Sequence, residues 1–69
     1  MVLIQFDKAT QRLSIHGTER VGTANDKAWE WVRDNRTADG KVTAYPSLRQ
    51  TTTYSTMVSY EFDIEPILS

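Results

Sequence analysis

The C-terminal third of the chain carries a long alternation of apolar and polar side chains, which constrains the fold more than any other feature. From residue 52 to residue 64 the odd positions are mainly hydroxyl and acidic residues. The even positions are Thr52, Tyr54, Thr56, Val58, Tyr60, Phe62 and Ile64. A period of two sustained over this length predicts one strand with a buried face and a solvated face, which antiparallel sheets allow.

Two shorter strands are predicted at the N-terminus, over residues 2–6 and 12–16. Their inward positions are Val2, Ile4, Phe6, Leu13 and Ile15. The polar stretch 7–11 between them is typical of a turn, so the two strands form a hairpin. A further strand is predicted over 41–45, stopped or confined to a sheet edge by Pro46, because proline cannot donate to the ladder.

One amphipathic helix is predicted between the two halves of the sheet, from near Asn25 to near Arg36. Thr23 or Asn25 can cap its N-terminus, and Asp26 falls in the first turn, where the helix dipole favours a negative charge. Gly40 is a plausible stop. At 100° per residue, the arc expected to face the sheet contains Ala24, Ala28, Trp31, Val32 and Asn35.

The order β-β-α-β-β predicts an α+β fold in which a four-stranded antiparallel sheet carries one helix on its apolar face. We expect a single domain over residues 1–69, with a tail at 66–69 that frays. The strand order cannot be derived from these patterns.

Composition excludes several functional classes. The chain has 69 residues, no cysteine and a single histidine, so a disulfide, a thiolate zinc site and a His-paired metal cluster are excluded within one chain. Its eight basic residues are spread evenly and the net charge is −1, whereas nucleic-acid-binding domains usually show a basic excess on one face. No stretch approaches the roughly 20 apolar residues of a membrane span, and residues 1–7 do not resemble a signal peptide. We expect a cytoplasmic protein with no metal, cofactor or membrane partner.

Candidates for catalysis are few. His16 is the one classical acid–base residue, and Ser14 on the same strand face lies about 7 Å away along the strand, which favours an exposed strand-end histidine without a catalytic role. Glu61, Asp63 and Glu65 share a strand face at spacings of about 6.5–7 Å, too wide to grip one metal ion without another segment. The glycines form no phosphate-binding motif. The sequence therefore predicts that the protein is not an enzyme.

Trp29 and Trp31 cannot both point at the sheet, because they are about 200° apart on a helix. Trp31 lies on the predicted buried arc. Trp29 lies at its flank, where it either anchors a partner or roofs the edge of the sheet.

Residues 45–54 are predicted to form a loop between paired strands, although they lack the Gly, Asn or Asp expected at a hairpin tip. This segment places Leu48 and Arg49 between Tyr45 and Tyr54, and Tyr and Arg often carry binding energy at interfaces. Two interpretations stay open: a partner-binding loop, or a polar connector with Leu48 tucked under the helix.

These features predict a small non-enzymatic protein-interaction module, such as an accessory or inhibitor protein, that forms a homodimer. Its mechanism would be backbone pairing along an exposed sheet edge. The partner-binding residues would be Trp29, Tyr45, Leu48, Arg49 and Tyr54. The alternative is a single-stranded nucleic-acid-binding domain that uses its sheet face.

Overall fold

The computed structural model describes residues 2–55 and 57–67. In chain order their elements are β1 (Leu3–Asp7), β2 (Arg12–His16), α1 (Val21–Asn35), β3 (Thr37–Ala38), β4 (Lys41–Val42), β5 (Ala44–Thr53) and β6 (Val58–Pro66). Four strands form one antiparallel sheet in the order β1-β2-β6-β5, and β3 pairs with β4 in a separate small hairpin. The predicted α+β architecture is confirmed.

The core lies between α1 and one face of the sheet, where the helix packs over β2, β5 and β6. Its buried side chains are Leu13, Ile15, Ala24, Ala28, Val32, Ala44, Tyr60, Phe62 and Ile64. Ala24 and Ala28 on α1 are fully buried, so small side chains let the helix approach the sheet closely. The even positions of β6 face this core, as the alternation predicted.

The helix begins earlier than predicted. It starts at Val21, its N-cap residue Arg20 makes no side-chain capping bond, and Asp26 lies beyond the first turn. The Tyr60 hydroxyl donates to the carbonyl of Glu19 at 3.0 Å, and the N–H of Ala24 donates to the carbonyl of Arg20 at 3.1 Å. The first contact attaches the connector to the sheet, and the second is the first turn of the helix, so Thr23 and Asn25 lie inside the helix and the predicted cap at either residue is wrong.

Two residues of the predicted helical face are less buried than expected. Asn35 is exposed, and its amide donates to the carbonyl of Trp31 at 2.9 Å instead of packing on the sheet. Trp31 is half-buried and packs against Phe6 on β1, with ring centroids 4.5 Å apart. Ile4 faces the helix side but remains 37% exposed, because β1 is an edge strand at the margin of the area that α1 covers.

The strand predicted over 41–45 is divided into two elements. Lys41–Val42 pairs with Thr37–Ala38 through a turn in which Asp39 and Gly40 both have positive φ, 53° and 74°. This is the Asp-Gly hairpin signal. The main sheet resumes at Ala44.

The long C-terminal alternation belongs to two strands and not to one. Thr52 and Thr53 close β5, the chain turns after them, and β6 begins at Val58. Thr56, which the alternation placed inward, lies outside the described residues. Pro66 ends β6, and the N–H of Ile67 donates to the carbonyl of Thr43 at 3.0 Å, so this part of the tail is attached to the residue that precedes β5. The rest of the predicted frayed tail, residues 68–69, also lies outside the described residues.

Candidate functional site

Residues 45–53 form most of an edge strand, so the prediction of a loop at 45–54 is wrong. β5 runs for ten residues beside β6, and the β-branched run Thr51–Thr53 suits an extended conformation. In the described ranges no other strand pairs with the outer side of β5. This free edge is the candidate functional site.

The first half of the edge is unsuited to pairing because of Pro46. The N–H of Ile64 donates to the carbonyl of Gln11 at 2.9 Å. Gln11 lies on the β2 side of β6, so the backbone groups of Ile64 point to that side. Both polar backbone groups of an antiparallel residue point to the same side, and the side alternates along the strand. Since Pro46 is paired with Ile64, its nitrogen faces the free edge. An N–H that another strand could use is therefore missing there.

A β-bulge interrupts the edge at Arg49. Leu48 is paired with Phe62 and Gln50 with Glu61, which leaves Arg49 as the extra residue. A bulge bends and twists the strand locally and disturbs the regular spacing of its backbone groups. Proline and a bulge are two of the devices that protect sheet edges from unwanted pairing.

Beyond the bulge the edge is regular and open. Because Ile64 directs its backbone groups toward β2, the odd residues of β6 direct theirs toward β5. Gln50 is paired with Glu61, so its backbone groups point toward β6, and those of Thr51 and Thr53 point outward. The N–H of Tyr54, the next inward position, donates to the carbonyl of Met57 at 2.7 Å. This bond fits the same alternation. Two consecutive outward positions are thus available for pairing.

The five predicted binding residues are spread over the edge and its surroundings. Tyr45 and Arg49 lie on the sheet face turned away from α1, here called the open face, whereas Leu48 lies on the helix side. Tyr54 follows β5 in the turn, about 30 Å along the strand from Tyr45. Exposed fractions are 40% for Tyr45, 46% for Leu48 and 54% for Tyr54. Trp29 is half-buried against the core. These residues do not form one compact patch.

The open face carries more negative than positive charge. Its carboxylates are those of Asp7, Glu61, Asp63 and Glu65, as the strand register places them. Its two arginines share one partner: Arg12 Nε lies 3.7 Å and Arg49 Nη1 lies 3.2 Å from the carboxylate of Asp63. A face of this kind repels a polyanion, so it gives no support to the nucleic-acid alternative.

His16 takes part in a cross-strand network that the sequence patterns did not reveal. Its Nδ1 lies 2.5 Å from the hydroxyl of Ser59, and its Nε2 lies 3.3 Å from the side-chain oxygen of Gln5. The predicted exposed histidine is thus half-buried, and the serine within reach comes from β6. Ser59 is only 3% exposed, which leaves no access for a substrate to its hydroxyl. The contacts hold three neighbouring strands together.

Within residues 2–55 and 57–67, no group of three or more His, Asp or Glu side chains is placed to hold a metal ion. The helix in this part of the chain is not long and apolar enough to cross a bilayer. No protein-family model, curated protein or solved structure matches the chain.

Proposed function

We propose that this protein is a non-enzymatic interaction module, of the accessory or inhibitor type, that self-associates by pairing the β5 edges of two copies. The observation that carries the proposal is the outward direction of the Thr51 and Thr53 backbone groups on an edge strand that pairs with no other described strand. Backbone pairing at a sheet edge is a common way for one chain to recruit another.

The pairing segment is residues 50–54, because the first half of the edge is unsuited to it. Pro46 removes a donor and the bulge at Arg49 breaks the regular ladder. Residues 50–54 have neither device and carry no charge. An uncharged, β-branched edge without proline is the type of segment that pairs most readily.

A second copy fits this segment because its pattern is symmetric about Thr52. With the two-fold axis at Thr52, Thr51 of each copy pairs with Thr53 of the other. These outward positions would exchange about four backbone hydrogen bonds, since each hydrogen-bonded pair in an antiparallel ladder exchanges two. The two sheets would join edge to edge, with both helices on the same side.

Replacing Thr51 with proline tests this proposal. The substitution removes an outward N–H and spares the ladder with β6, so the monomer is expected to fold. Each copy loses a donor, and at about 1 kcal/mol per hydrogen bond self-association should weaken by about tenfold or more. Sedimentation velocity over a concentration series measures the effect.

Thr51→Ala is the matched control, because it shortens the same side chain but keeps the N–H, and it should associate like the wild type. A second pair is Thr52→Lys and Thr52→Val: the lysine places like charges face to face at the two-fold axis, which disfavours pairing, and the valine does not. A wild-type protein that stays monomeric over the whole series, or a Thr51→Pro variant that associates unchanged, would contradict the proposal.

A further inference from the structure

A shallow depression of about 380 Å³ lies at the opposite end of the sheet from the proposed pairing segment. It forms where the end of α1, the β1–β2 turn, the start of β5 and the end of β6 meet. The lining residues are Gln11, Arg36, Thr43, Ala44, Ile64 and Pro66. Its volume is at the lower end of the range of about 300–1,000 Å³ that is usual for small-molecule pockets.

Arg36 is the cationic group of this depression, and aromatic rings restrain it. Its guanidinium carbon lies 5.3 Å from the centre of the Phe6 ring and 5.1 Å from that of Trp31. Cation–π contacts at these distances are attractive and limit the rotamers that the side chain can adopt. A restrained guanidinium loses less entropy when it binds a ligand than a free surface arginine does.

The guanidinium has hydrogen-bonding capacity to spare. Its Nη1 donates to the carbonyl of Asn35 at 2.9 Å, and its Nη2 donates to the side-chain oxygen of Gln11 at 3.5 Å. A guanidinium has five N–H donors. The ion pairs of the described residues involve Arg12, Lys27 and Arg49 but not Arg36, so no carboxylate of residues 2–55 and 57–67 neutralises this cation.

The other polar side chains of the rim have fewer donors to offer. The Gln11 amide nitrogen donates to the carbonyl of Lys8 at 2.8 Å, and the Thr43 hydroxyl donates to the carbonyl of Arg36 at 3.0 Å. The Gln11 amide keeps one N–H, but Arg36 is the one cationic donor that this rim offers to an anion. Beside it, the depression is lined by the apolar side chains of Ala44, Ile64 and Pro66.

We propose that the depression binds a small monocarboxylate with a short branched apolar body. A planar guanidinium matches a carboxylate, and one cation neutralises a monoanion but not a phosphate dianion. Pro66 is the exposed apolar residue of the lining, beside the nearly buried Ala44 and Ile64, and it favours an aliphatic group attached to the carboxylate. The same chemistry is found in a free branched-chain acid and in an aliphatic residue at the C-terminus of a peptide.

Titration of the ¹⁵N-labelled Thr51→Pro variant with three probes tests the proposal separately from self-association. Isovalerate represents the free acid, N-acetyl-leucine represents a peptide terminus, and N-acetyl-leucinamide lacks the charge. We expect saturable shifts of the backbone ¹H–¹⁵N signals of Gln11, Arg36 and Ala44 with one or both acids. N-acetyl-leucinamide should bind at least tenfold more weakly. The relative affinity of the two acids identifies the source that the site prefers.

Arg36→Gln removes the cation and is expected to weaken acid binding by about tenfold or more, as loss of a charge-assisted pair does. Arg33→Gln is the matched control, because it removes an equal charge from an exposed position on the last turn of α1 without touching the depression. Equal binding of acid and amide to the Thr51→Pro protein, equal losses in both arginine variants, or shifts spread over the whole surface would overturn the proposal. The comparison of acid with amide does not depend on whether Arg36→Gln folds.

Discussion

Replacing Phe62 with alanine is expected to lower the free energy of unfolding by about 3–5 kcal/mol, the usual cost of removing a buried aromatic side chain. Phe62 is the largest fully buried residue, 1% exposed, and lies under α1 in the middle of β6. Chains of this length have unfolding free energies of roughly 3–10 kcal/mol. The variant should be largely unfolded if the wild type lies at the lower end of this range and should unfold at a much lower urea concentration if it lies at the upper end, as measured by urea denaturation followed by circular dichroism.

Leu48→Ala is the control for this prediction. Leu48 is paired with Phe62 and lies on the same side of the sheet, but it is 46% exposed. Its truncation should change the free energy of unfolding by less than about 1 kcal/mol. If the two substitutions destabilised the protein equally, the placement of the core under α1 would be incorrect.

Replacing Ala28 with leucine should also destabilise the protein, through overpacking. Ala28 is fully buried on the sheet-facing side of α1, and a larger side chain there would push the helix away from the sheet. Such insertions cost about 1–3 kcal/mol, and each kcal/mol lowers the melting temperature of a chain this small by about 4–8 °C. Thermal unfolding measured by circular dichroism would detect the shift.

Ala38→Leu is the corresponding control, since Ala38 is exposed in the small β3–β4 hairpin and the added carbons would lie in solvent. Its melting temperature should stay close to that of the wild type. A tolerant Ala28→Leu variant would mean that α1 does not pack closely on the sheet.

The parts of the fold that depend on local periodicity could be predicted from the sequence. The alternation of residues 58–64 was sufficient to place Tyr60, Phe62 and Ile64 in the core. Ala24, Ala28 and Val32 repeat at intervals of four, which predicted the helical face that is in fact buried. These patterns arise because burial selects side chains at the period of each element.

Features set by register or by contacts distant in sequence could not be predicted in this way. The alternation runs from Thr52 to Ile64 without a break in parity, so it did not reveal that the chain turns before Val58. The Asp39-Gly40 hairpin did have a local signal, which was interpreted as the end of the helix. The early start of α1 at Val21 has no capping residue to mark it, and the contact of Tyr60 with Glu19 just before it joins residues distant in sequence.

In the candidate site, too, composition could be read from the sequence, whereas strand register and contacts between distant residues could not. Composition makes residues 45–54 a candidate binding segment, but the division of this edge into a half unsuited to pairing and a regular half depends on the register with β6. The depression at Arg36 was not predicted, because Gln11, Arg36 and Thr43 are distant in sequence. The pairing of His16 with Ser59 likewise requires the β2–β6 register.

Native-state hydrogen exchange of single backbone amides, measured at several protein concentrations, tests the proposed edge pairing most directly. Gln50 and Thr52 direct their amides toward β6 and should be protected at every concentration. Thr51 and Thr53 direct theirs outward, so they should exchange fast in dilute solution and become protected as the concentration rises. Amides of Thr51 and Thr53 that exchange at the same rate from the lowest to the highest concentration would contradict pairing along β5.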